Sequence, residues 1–68
     1  MNTIKVGAYL AQLRKDNNLT QEQLAKELEI TRESVSKWER GINFPNPDIL
    51  LKLSKKYQIT INDILNND

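Results

Sequence analysis

Between Leu19 and Gly41, the run LTQEQLAKELEITRESVSKWERG spaces its apolar residues so tightly that few local arrangements can bury them all. Leu24, Ala25 and Leu28 share one side of a helix, Ile30 falls in a break, and Val35 and Trp38 share one side of a second helix. The spacing predicts two short helices joined by a tight turn. Ala25 sits where they should cross, and its methyl group lets the two axes approach, whereas a larger side chain would overpack the crossing. Thr20 and Gln23 have the spacing of a capping box at the start of the first helix. Thr31 reads as the N-cap of the second, which runs to about Arg40 and stops at Gly41.

At about 100° per residue, Arg32, Glu33, Ser36, Lys37 and Arg40 fall on an outward arc of about 140°. Thr31, Ser34, Val35 and Trp38 lie on a different arc. A small scaffold that turns a polar, mostly basic helix outward has the shape of a unit that enters the DNA major groove.

The rest of the chain is also helical. Val6, Leu10 and Leu13 recur at i, i+4 and i+7, predicting a first helix from about Ile4 to Asp16 that Asn17 and Asn18 end. Ile42 to Pro47 is a loop, and Asn46 before Pro47 is an N-cap with proline in the first helical position. The helix that follows should bury Leu50, Leu53 and Tyr57. Thr60, with Asp63 three residues on, opens a last short helix carrying Ile61, Ile64 and Leu65, and Asn66 to Asp68 should fray. The expected fold is all-α, a compact five-helix bundle with its helix-turn-helix at about residues 20–40. All 68 residues belong to a single domain.

Composition removes several function classes. With neither cysteine nor histidine, the chain has no disulfides, no thiolate metal site and none of the commonest general bases. No nucleophile, base and oxyanion donors suggest themselves, so no catalytic residue, metal, cofactor or small-molecule ligand is expected. No apolar run spans a membrane and no signal-peptide core opens the chain, so the cytoplasm is the expected location. Ten basic residues against nine acidic give a net charge of +1, so overall charge says little about nucleic acid.

With these residues in place, the chain resembles the phage-repressor and Cro type of helix-turn-helix, also called XRE-like, whose fold is lambda-repressor-like. The resemblance runs from Val6 to Leu65. It rests on the Gln21-to-Ala25 opening, the Ser36-Lys37-Trp38-Glu39-Arg40-Gly41 close, Pro45 after the loop, and the Leu50/Leu53 helix. It implies binding to a double-stranded DNA operator, usually as a symmetric dimer, in transcription regulation. It also implies that Gln21 hydrogen-bonds a phosphate and that Arg14 pairs with Glu39. The family usually has glycine in the inter-helix turn where this chain has Glu29. If that turn needs a positive φ, Glu29 is strained by about 1 kcal/mol or somewhat more.

The expected DNA-binding residues are Gln21, Arg32, Glu33, Ser34, Ser36, Lys37, Arg40 and Asn43. Arg32 can donate two bonds to guanine O6 and N7, or reach a phosphate instead; Glu33 can accept from cytosine N4. Glu33 also stands four residues before Lys37, the favourable order for a helical ion pair worth roughly 0.2–0.5 kcal/mol. Lys37 is expected to touch DNA, while Arg40, near the helix end, suits the backbone. Ser34 either reaches a phosphate or packs, Ser36 shares the outward face, and Asn43 in the loop can meet the backbone. Gln21 sets a donor beside the positive end of its helix, where a phosphate is favoured. Trp38 belongs to the core, and Lys52, Lys55 and Lys56 read as a solvated face.

The aliphatic residues Ile59, Ile61, Ile64 and Leu65 exceed what a short helix needs and are the expected homodimer seam. The predicted function is a sequence-specific DNA-binding transcriptional regulator acting as a repressor. The alternatives are an antitoxin-like or other interaction module, whose partner surface would be helix four and the tail, or the DNA-binding end of a longer regulator.

Overall fold

The computed structural model describes residues 2–67. They form α1 (Thr3–Asp16), α2 (Gln21–Leu28), α3 (Arg32–Glu39), α4 (Pro47–Tyr57) and α5 (Ile61–Leu65). No strand occurs among the described residues. Asp68, in the expected frayed end, lies outside them.

Each helix starts on a side chain that accepts from a first-turn amide otherwise lacking a partner. Asn2 accepts from the Lys5 amide, Thr31 from Ser34 and Asn46 from Ile49. Thr20 accepts from the Gln23 amide while the Gln23 side chain accepts from the Thr20 amide, and Thr60 and Asp63 repeat this box at α5. The Asn2 cap starts α1 one residue ahead of the expected Ile4. At the other end of the helix-turn-helix, α3 closes at Glu39, with Arg40 as its C-cap and Gly41 at φ +74°.

The core gathers Val6 and Leu10 of α1, Leu24, Ala25 and Leu28 of α2, Val35 and Trp38 of α3, and Ile49, Leu50 and Leu53 of α4. Each large aliphatic side chain fully removed from water contributes roughly 1.5–3 kcal/mol. Ile64 joins them and is 0% exposed, which corrects the expected dimer seam: a side chain wholly inside its own domain cannot meet a second copy. Ile59, Ile61 and Leu65 are half-buried, the first two packed on the same core.

α1 crosses α3 through Gly7, a position whose importance the periodicity did not reveal. A Cβ there would lie 2.2 Å from the Trp38 carbonyl oxygen and 2.9 Å from that of Glu39. The turn between α2 and α3 does require the left-handed region, with Glu29 at φ 59° and ψ 42°. It is closed by the Ile30 amide donating to the Ala25 carbonyl at 3.0 Å. Among the described residues, no helix is long and apolar enough to cross a membrane.

Candidate nucleic-acid interface

α3 is seated by its underside. Val35 is 0% and Trp38 6% exposed, packed where α1 and α2 meet the helix. That seating fixes the rotation of the helix, so the opposite arc faces outward. Arg32, Glu33 and Arg40 are exposed, and Ser36 and Lys37 are half-buried beside them. The outward stripe therefore exists as one surface, and the body of the protein does not cover it.

The charges along it are arranged differently from the expected Glu33–Lys37 pair. Arg40 folds back along the helix, its Nε donating to Ser36 Oγ at 3.1 Å and to the Ser36 carbonyl at 3.3 Å. A terminal nitrogen of Arg40 then lies 3.9 Å from Glu33 Oε1, making Arg40 rather than Lys37 the ion-pair partner of Glu33. The long guanidinium, once anchored on Ser36, spans two turns. Both side chains are more than half exposed, so solvent screening leaves this pair weak and easily exchanged for another partner. Lys37 is left without an ion pair among the described residues.

Ser34 is half-buried, its hydroxyl 3.0 Å from that of Thr31, so it extends the cap of α3. Asn43 is exposed in the loop after α3.

The start of α2 meets the end of α3 through a polar cluster. Arg14 donates to Glu39 by Nε to Oε2 at 2.7 Å and by a terminal nitrogen to Oε1 at 3.0 Å. Its other terminal nitrogen donates to the Leu19 carbonyl at 2.7 Å. Arg14 and Glu39 side chains are only 10% and 8% exposed. The hydrogen bonds to Glu39 hold the Arg14 pKa above its ordinary value, against the opposing effect of burial. Gln21, half-buried, donates from Nε2 to Glu39 Oε1 at 2.9 Å. Its link to Glu39 was not legible in sequence, because the two residues stand on different helices and neither pattern points to the other.

On α4, Lys52 and Lys55 are exposed, while Lys56 pairs with Glu27 of α2. Among the described residues, no three His, Cys, Asp or Glu side chains gather to hold a metal ion.

Two short helices in this relation, one seated by its apolar side and the other abutting it through a left-handed turn, define a helix-turn-helix of the phage-repressor type. Residues 10–64 match the Helix-turn-helix family, and the chain belongs to it. It is 46% identical over 59 residues to the HTH-type transcriptional activator BcrR of Enterococcus faecalis, covering 87% of this chain and 29% of that protein. It is 40% identical over 65 residues to the HTH-type transcriptional regulator DicA of Escherichia coli, covering 96% of this chain and 48% of DicA. The chain thus spans less than half the length of these two relatives. Its structure is similar to that of the restriction-modification controller protein C.AhdI of Aeromonas hydrophila. The TM-score is 0.80 at 31% identity, over 91% of this chain and 94% of C.AhdI.

Proposed function

We propose that this domain regulates transcription by seating α3 in the major groove of an operator, with two copies reading a two-fold symmetric site. The observation that carries the reading is the outward face of α3, polar and unobstructed, on a helix whose rotation is fixed by Val35 and Trp38. Arg32 and Lys37 are the base-reading candidates, because both lie on that face and neither forms an ion pair among the described residues. Glu33 and Arg40 can exchange each other for a base amino group and a phosphate, respectively. Ser34, Ser36 and Asn43 serve the backbone or the edges of the interface. Gln21 supplies a phosphate contact at the start of α2. The mode we assign is repression, by occlusion of the promoter DNA that α3 would cover.

Selection of bound sequences from a random duplex pool at physiological salt tests the reading, and a symmetric motif is the expected outcome. On the selected duplex, Lys37→Ala should weaken binding and reduce the slope of log affinity against log salt by about 0.9, the loss of one neutralised phosphate, if Lys37 meets the backbone. If Lys37 reads a base, the same variant should instead relax the preference at one position by about 1–3 kcal/mol. Unchanged affinity and unchanged preference in both Lys37→Ala and Arg32→Ala would show that α3 is not the reading helix.

A further inference from the structure

Gln21 begins α2 and Glu39 ends α3, and the bond between them joins the candidate backbone contact to the ion pair that ties α1 to α3. Glu39 accepts from three donors, two on Arg14 and one on Gln21, while Arg14 also holds the Leu19 carbonyl just ahead of the α2 cap. We propose that Glu39 is a positioning residue for DNA: it turns the amide nitrogen of Gln21 inward and leaves the second N–H of that nitrogen for a phosphate oxygen. This rests on the reading of α2 and α3 as a DNA-binding unit.

The chemistry of the carboxylate fixes the amide. Glu39 can only accept, so the nitrogen and not the oxygen of the Gln21 amide must face it. An unattached glutamine at a helix start would sample several rotamers and both amide orientations, and ordering it on binding would weaken the complex. Held in advance, it loses less. Charge explains why the anchor is a pair rather than a lone glutamate. A bare carboxylate beside the start of α2 would repel a phosphate, whereas two charge-assisted bonds from Arg14 neutralise it in place.

The test measures the affinity of the selected duplex for variants of the whole chain, at temperatures where each is folded by circular dichroism. Gln21→Ala should weaken binding roughly tenfold, as loss of a hydrogen bond to a charged group does. The salt slope should not change, because a neutral amide releases no counterion. Arg14→Met with Glu39→Leu replaces the pair by apolar groups, the change that buried ion pairs tolerate best. It should cost a similar factor, and Gln21→Ala added to it should cost roughly twofold or less further. Glu39→Asp keeps a carboxylate for Arg14 but draws it away from Gln21, and should reproduce the loss even where the paired replacement folds poorly. Normal affinity in both anchor variants, with the full loss in Gln21→Ala, would overturn the proposal. So would Gln21→Ala binding normally while Lys37→Ala does not, which would leave the DNA-binding reading standing. Failure of the unmodified chain to bind any duplex would remove that reading and the proposal with it.

Discussion

Glu29 and Tyr57 carry strain and unmet bonding capacity, respectively, that stability measurements can expose. Glu29 holds a left-handed conformation that side chains with a Cβ resist. Replacing it with glycine removes that resistance but loosens the unfolded chain, so Glu29→Gly should stabilise by about 0.5–1 kcal/mol net. A higher urea midpoint at unchanged m would register it. Tyr57 is half-buried, and its hydroxyl has no hydrogen-bond partner among the described residues. Burial first, and then the nearby Glu27 carboxylate, push its pKa from 10.0 up to about 12. The folded state therefore holds the phenolic proton more tightly than the unfolded chain does. The stability this contributes is whole below pH 10.0 and is lost as pH rises through about 12. Tyr57→Phe should remove this part of the alkaline decline, seen as a shallower fall of the thermal midpoint between those two values.

At the scale of elements, the crossing of α1 over α3 is the most exacting contact. Gly7→Ala would set a methyl group 2.2 Å from the Trp38 carbonyl oxygen, and that oxygen belongs to backbone that cannot swing aside. Overpacking of this kind costs about 1–3 kcal/mol or more. The variant should lose most of its cooperative unfolding transition and the dispersed amide spectrum of the folded state. The helices themselves were legible in sequence because their starts are written locally. Thr20, Thr31, Asn46 and Thr60 each stand where a cap must, and the apolar spacing set which faces turn inward. What depends on distant parts of the chain was not legible. Gly7 looks like an indifferent helical glycine until α3 lies across it. Ile64 looks like surplus surface until the core closes over it. The outward stripe of α3 was readable from its period, but the clasp of Arg40 on Ser36 and Glu33 was not, since a long side chain can choose among partners at one turn or two. The Gln21–Glu39 bond stayed hidden for the same reason as Gly7: it exists only once α2 and α3 are docked.

For the domain as a whole, size and charge together bear on the proposed engagement of a duplex. A net charge of +1 offers little general attraction, so under the proposed reading the cations of the α3 face, the Gln21 contact and pairing of two copies would supply the affinity. The principal extents of 27 × 24 × 22 Å are smaller than the roughly 34 Å separating successive major-groove openings on one face of DNA. Two domains can thus sit side by side on that face without overlap, each placing one α3. A half-site spacing of about one helical turn is the expected optimum. Inserting about five base pairs between half-sites turns them to opposite faces and breaks any contact between the copies. The affinity should then fall to that of a single half-site, and Ile59, Ile61 and Leu65 should lose whatever part they play in joint binding. Measured on duplexes of graded spacing, a sharp optimum near one turn supports paired binding, and affinity indifferent to spacing shows two copies acting independently. If the optimum vanishes when Ile59, Ile61 and Leu65 are made polar while half-site affinity persists, the seam is these three residues, with Ile64 serving only the core beneath them.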